Sequence, residues 1–197
     1  MLNIMLTGVG GQGTVLAAKV LAQAAQDKGW HVRTAETIGM AQRGGSVVSH
    51  VRMGDGGEEI YAPLIAHGTA DLVIAFEPAE AARVLPYLSP DGVVVTASTA
   101  VQPVTAALSE DPYRGEDVIA ALRDGFAATP ERLIVVDDAM LLAQIGNRKV
   151  LNTVLLAKAL ATGRIPLSIA DLRAAVATCV KPRFVDLNLA AIDAAVK

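Results

Sequence analysis

The sequence predicts an α/β fold, a layered domain on a mostly parallel sheet, and three observations carry that prediction. Short apolar runs alternate with longer segments of helical periodicity, the signature of repeated strand–helix units. The first run ends in a glycine-rich turn, Leu6-Thr7-Gly8-Val9-Gly10-Gly11-Gln12-Gly13-Thr14, which leads straight into a helical pattern. The apolar content is high, at 52% of 197 residues with a mean hydropathy of +0.42, yet aromatics supply only 4%. The excess is Ala and Val, side chains that suit parallel strands covered on both faces and closely packed helices. The same excess is consistent with a surface buried against a partner. The length suits a single domain, residues 1–197, able to bury a real core.

Taken in order, residues 2–6 read as the first strand. Residues 12–28 read as a helix with Leu16, Val20 and Leu21 on an alanine-rich face, ended by Gly29. Residues 31–37 form a second strand, and 38–45 an irregular, glycine-punctuated loop. Residues 46–53 alternate, Val47, Ser49, Val51 and Met53 against Ser46, Val48, His50 and Arg52. The glycine-rich turn at 54–57 would then return residues 58–61 as the partner of that strand, an inserted β-hairpin. Residues 71–76 are a compact buried strand, followed by a helix that Glu77-Pro78 opens and that runs to about Val84. Residues 93–96 and 133–136 are the remaining strands, with a helix at 117–127 between them. Helices at about 138–145, 149–161, 168–178 and 183–196 make a helical C-terminal third packed against the sheet. The expected architecture is therefore a Rossmann-like domain with an inserted hairpin and no internal repeat.

Composition excludes several classes. A net charge of −3, a pI near 5.6 and the lack of a Lys/Arg cluster argue against nucleic acid as partner. No apolar run approaches the roughly 18 residues of a membrane span. The N-terminus lacks the basic region of a leader, so the expected compartment is the cytoplasm. Cys179 is the only cysteine. It has no internal disulfide partner and does not supply the roughly four thiolates of an iron–sulfur cluster, and it reads as a small apolar residue in a helix.

The chemistry centres on glycine. Gly8, Gly10 and Gly13 fit G-x-G-x-x-G between strand and helix, where the backbone approaches a phosphate closely and a helix N-terminus offers it free N–H groups. Lys19 lacks the spacing of a P-loop lysine. Glu36 stands 23 residues after Gly13, where a dinucleotide-binding protein carries its ribose-binding acid, which keeps a stand-alone NAD(P) oxidoreductase open. Against it, His31, His50 and His67 form no catalytic motif. A second glycine loop, Gly39-Met40-Ala41-Gln42-Arg43-Gly44-Gly45-Ser46, brings an amide and a guanidinium to the same sheet edge. Arg43 suits bidentate pairing with phosphate or carboxylate. Other polar groups have structural readings: Glu77-Pro78 as a strand–helix junction, Asp137-Asp138 as a cap, and His50 and Asn188 as packed residues.

The two glycine loops, the strand Ser49-His50-Val51-Arg52, the segment Ala70-Asp71-Leu72-Val73-Ile74-Ala75-Phe76-Glu77-Pro78, Leu85-Pro86-Tyr87-Leu88, and Lys181-Pro182-Arg183-Phe184 followed by Asn188 resemble the gamma-type domain of 2-oxoacid:ferredoxin oxidoreductases. The resemblance spans nearly the whole chain and is strongest to the indolepyruvate branch. It implies a small, heteromeric subunit of a complex that decarboxylates a 2-oxoacid such as indolepyruvate on thiamine diphosphate, reduces ferredoxin through 4Fe-4S clusters and releases an acyl-CoA. A single cysteine and the lack of a thiamine-type metal motif put thiamine diphosphate, Mg and the clusters on a large alpha subunit. No cofactor or metal is then bound by this chain alone, no catalytic residue is assigned to it, and it should be inactive by itself. Coenzyme A would be a shared substrate, its pyrophosphate at Gly8, Gly10, Gly11, Gln12 and Gly13, with Gln42 and Arg43 anchoring the second loop beside it. A CoA- or nucleotide-binding regulatory module is the third reading. The family suggests two large and two small subunits. Whether an isolated chain pairs as a homodimer stays open.

Overall fold

In the computed structural model, which describes residues 1–39, 44–54, 56–101 and 113–197, the apolar runs form six strands. These are β1 (Leu2–Val9), β2 (His31–Ile38), β3 (Ser46–Gly54), β4 (Ala70–Ala75), β5 (Leu88–Ala97) and β6 (Leu133–Val136), joined in one sheet in the order β2-β3-β1-β4-β5-β6. β1, β4, β5 and β6 pair in parallel, whereas β3 runs antiparallel to both β1 and β2. Every strand except β3 therefore ends at the same edge. The helices among the described residues are α1 (Thr14–Asp27), α2 (Pro78–Val84), α3 (Gly115–Gly125), α4 (Asp138–Ile145), α5 (Leu151–Ala161), α6 (Ile169–Cys179) and α7 (Val185–Ala195).

Strand periodicity divides the core between two faces. Ile4 and Leu6 of β1, Leu72 and Ile74 of β4, and Val93 and Val95 of β5 share one apolar cluster with α1, α5, α6 and α7. Met5, Val73 and Val94 point the other way, to Ala81 and Val84 of α2 and to Leu122 and Phe126 at the end of α3. Both faces of the central strands are covered, which is why they read as unbroken apolar runs. Each buried Leu or Ile there contributes about 1.5–3 kcal/mol.

The hairpin differs from the expected one. Residues 58–61 form no strand, because both edges of β3 are already occupied, by β1 and by β2. The antiparallel hairpin is β2–β3, and it wedges β3 between β2 and β1. Glu58 instead fastens the chain terminus: its carboxylate accepts from the Met1 amine at 2.7 Å and from the Gly56 N–H at 2.9 Å. The bonds to the amine and the backbone hold its pKa down to about 2. β1 also runs three residues past its expected end, since Thr7, Gly8 and Val9 pair with Val48, Val47 and Ser46. Gly8 thus lies in the strand rather than in the turn.

The C-terminal helices start and stop on local signals. Ser168 and Asp171 make a reciprocal capping box at α6. Ser168→Ala is expected to cost about 1 kcal/mol, seen as a fall in melting temperature of roughly 2–4 °C in a chain of this size; an unshifted melt would mean that the box contributes nothing. Among the described residues no helix is long and apolar enough to cross a membrane.

Candidate functional site at the strand ends

The shared strand edge collects the turn after β1, Gly39 and residues 44–46 between β2 and β3, residues 76–78 after β4, residues 98–101 after β5 and the Asp137-Asp138 pair after β6. Three contacts fix the first turn. Gln12 Oε1 accepts from the Val9 N–H at 2.8 Å, and Gln12 Nε2 donates to the Phe76 carbonyl at 2.9 Å, bracing the turn against the end of β4. The Gly10 N–H donates to the Gly45 carbonyl at 2.9 Å, so the two glycine loops adjoin as expected. Gln42 and Arg43 lie outside the described residues.

Gly13 is the N-cap of α1 with φ 86°, a left-handed backbone that favours glycine. A Cβ there would also meet Asn152 Nδ2 at 3.0 Å. No side chain caps α1 and no acid sits in its first turn, so the first N–H groups of the helix lack a side-chain acceptor. Gly8 has a different role. A Cβ on it would stand 2.9 Å from Phe76 Cβ and 2.8 Å from Gln12 Oε1, so its bareness lets the turn fold down on β4.

A cavity of about 480 Å³ opens beside Gly11, Gln12 and Gly13, a size typical of small-molecule sites. Leu16, Leu142 and Leu151 give it apolar walls. Arg148, Lys149 and Asn152, contributed by the turn before α5 and by α5 itself, also line it. The Asn147 side chain accepts from the Lys149 N–H at 2.9 Å and fixes that turn. Asp138, fully buried, closes the end near β5 and β6: its Oδ1 accepts from the Ser98 N–H and Thr99 N–H, each at 2.9 Å, and from Ser98 Oγ at 3.1 Å. Sequence reasoning missed Arg148, Lys149 and Asn152. The only local signal is two adjacent cations, and they reach the glycine loop through the tertiary fold.

A second cleft, of about 380 Å³, lies on the other side of the edge, lined by Ser46, Glu77, Glu80, Arg83 and Tyr113 among others. Glu80 is buried and accepts from Ser46 Oγ at 2.5 Å, Arg83 Nε at 3.2 Å and Thr7 Oγ1 at 3.5 Å. Glu77 caps α2 by accepting from the Glu80 N–H at 3.0 Å, with Pro78 in the first turn, as the sequence indicated. Its other oxygen accepts from the Tyr113 hydroxyl. Burial, and then the bond to Glu77, push the Tyr113 phenol well above its ordinary range.

The remaining polar groups are structural. Asp137 caps α4 by accepting from the Met140 N–H at 3.1 Å. Buried His50 accepts the Ile65 N–H on Nδ1 at 3.3 Å, and burial lowers its pKa, so it is a neutral packing residue. Asn188 accepts from Thr153 Oγ1 at 2.5 Å and donates to the Phe184 carbonyl at 2.8 Å, bridging α5 and α7. Glu36 pairs with Ser49, which pairs with Leu6. It therefore lies two strands from β1, about 10 Å away, and it is exposed. The dinucleotide arrangement, with the acid-bearing strand beside the glycine strand, is not built.

A family model described as pyruvate ferredoxin/flavodoxin oxidoreductase matches residues 3–197. The chain belongs to that family. Within the pyruvate ferredoxin/flavodoxin oxidoreductases it is a small subunit of a 2-oxoacid:ferredoxin oxidoreductase, an enzyme with an iron–sulfur acceptor. It is 35% identical over 196 residues to the indolepyruvate oxidoreductase subunit IorB of Pyrococcus horikoshii, covering 99% of this chain and 94% of that one. It is 39% identical over 193 residues to the IorB subunit of Archaeoglobus fulgidus, covering 97% and 92%. Its fold matches the gamma subunit of the keto/oxoacid ferredoxin oxidoreductase of Geobacter sulfurreducens with a TM-score of 0.68 at 23% identity, over 100% and 99% of the two chains. It matches equally well, at 18% identity, a 2-oxoglutarate:ferredoxin oxidoreductase of Magnetococcus marinus solved with 2-oxoglutarate, coenzyme A and succinyl-CoA. There 99% of this chain covers only 30% of the other, so the same fold is one part of a longer polypeptide.

Proposed function

We propose that this chain supplies the coenzyme A site of a cytoplasmic indolepyruvate, or other aryl pyruvate, oxidoreductase. In this reading its large partner subunit carries thiamine diphosphate, Mg and the 4Fe-4S clusters that pass electrons to ferredoxin. The observation that carries the reading is the cavity that the uncapped N-terminus of α1 lines together with Arg148 and Lys149. Backbone N–H groups at Gly11, Gly13 and Thr14 would hold a phosphate of the cofactor's ADP end, the leucine walls would take the adenine, and the neutral thiol arm would lead toward the partner. Two named relatives act on indolepyruvate, and the Magnetococcus protein was solved with coenzyme A, which supports both halves of the reading. Thiamine chemistry supplies the decarboxylation; the work of this chain is to bind and orient the acyl acceptor. Half-buried Cys179, the sole cysteine, offers no cluster ligation.

The test is a CoA saturation curve on the reconstituted complex with Gly13→Val. The branched Cβ enters a left-handed position already 3.0 Å from Asn152. The expected result is a KM for CoA raised about tenfold or more, with the KM for the 2-oxoacid unchanged. A folded Gly13→Val complex with wild-type CoA dependence would sink the assignment, as would an isolated chain that binds NADH tightly and CoA not at all.

A further inference from the structure

We propose that Arg148 and Lys149 form a dedicated site for a second phosphoryl group, so that this subunit selects a 3′-phosphorylated adenine nucleotide, coenzyme A itself, over its dephosphorylated form. This rests on the coenzyme A reading of the same cavity and goes further, to the group that decides specificity. One helix end offers about half a positive charge, enough to anchor a single phosphate. A phosphate monoester brings a further charge of about −1.5 to −2 near neutral pH, and among the described residues the first glycine loop, Gly8–Gly13, carries no cationic side chain to balance it. Two full cations line the same cavity, on a turn held by Asn147.

Three features set these cations apart from ordinary surface charge. Among the described residues neither makes an ion pair, whereas Arg83, Arg173 and Lys28 each have a carboxylate partner. Both line the cavity that Gly11 and Gly13 also line. Asp138, the carboxylate that lines the cavity among the described residues, accepts three hydrogen bonds through Oδ1 from Ser98 and Thr99 and anchors the loop after β5. Arg presents a planar fork to a phosphate and Lys a compact point charge, a pair suited to a dianion.

The experiment compares kcat/KM for CoA and for dephospho-CoA, which differ only in the 3′-phosphate, in the complex of this subunit with its large partner. The wild type is expected to prefer CoA by tenfold or more, since a charge-assisted bond is worth about one decade or more, and the preference should shrink as salt is raised. Arg148→Gln with Lys149→Gln should bring the two substrates to within about threefold, the loss falling mainly on CoA. Both positions are exposed, so the variant folds; Arg173→Gln, on α6, controls for loss of a surface charge. A wild type indifferent to the 3′-phosphate, or a double variant that keeps the preference, overturns the proposal. Failure here leaves the wider reading intact if Gly13→Val still raises the KM of both substrates. Should neither variant move either substrate, the wider reading falls with it.

Discussion

Gly8→Val is expected to remove activity from the complex and to unfold the subunit well below the wild-type melting temperature. The position gives no room: a Cβ would lie 2.9 Å from Phe76 Cβ and 2.8 Å from Gln12 Oε1, with Thr14 Oγ1 at 3.1 Å. Gln12 is the end of a flexible side chain and can swing away, but doing so breaks its bonds to the Val9 N–H and the Phe76 carbonyl. Phe76 cannot retreat, because its Cβ is fixed to backbone whose N–H donates to the Thr7 carbonyl at 2.8 Å. Overpacking costs about 1–3 kcal/mol, and the two lost hydrogen bonds add about 0.5–1.5 kcal/mol each. The sum, about 2–6 kcal/mol, lowers the melting temperature by roughly 5–20 °C. Gly8→Ala should sit between the two. Its single methyl meets the same atoms without the branch. A Gly8→Val subunit with an unchanged melt and normal CoA dependence would show that β1 and β4 do not clamp the turn as described.

That position also shows what a sequence can and cannot reveal. The G-x-G-x-x-G spacing located the turn and the helix behind it, because those depend on neighbours in the chain. The division of labour among the glycines was not legible: Gly8 answers to Phe76, 68 positions on by numbering, and Gly13 to Asn152. The β2–β3 pairing was hidden for the same reason. Alternation at residues 46–53 identified a strand with two distinct faces, yet period-2 patterning does not say which edge it will occupy. The nearest later segment was the simplest partner, and the sheet chose β1 and β2 instead. Strands β4 and β6 and helix α4 were readable almost to the residue, since their apolar runs and caps are local. Arg148 and Lys149 carry no local signal of a site, since the turn before α5 brings them to the glycine loop only through the tertiary fold.

Glu80 is the case where helical position misleads most, and its removal should have the second large effect. It lies in the first turn of α2, where an acid is ordinarily a surface residue favoured by the helix dipole. Here it is buried, because Ser46, the first residue of β3, and Thr7 of β1 reach its carboxylate from the sheet. The carboxylate thus pins α2, β1 and the exit of the second glycine loop to one another. Glu80→Ala leaves the Ser46 hydroxyl without its acceptor and opens a gap under α2. An orphaned buried polar group costs about 1–3 kcal/mol. The lost Arg83 contact adds little, since that guanidinium is mostly in water. Thr7, at 3.5 Å, is a weak partner. A total near 2–4 kcal/mol follows, a fall of roughly 5–15 °C in melting temperature, and the loosened loop should raise the KM for CoA as well. Glu80→Gln keeps an acceptor for Ser46 and is expected to recover most of the stability. The decisive measurement is a double-mutant cycle of Glu80→Gln with Ser46→Ala: a coupling of at least about 0.5 kcal/mol is required of residues in direct contact, and strictly additive losses would show that the 2.5 Å bond does not hold the second loop in place.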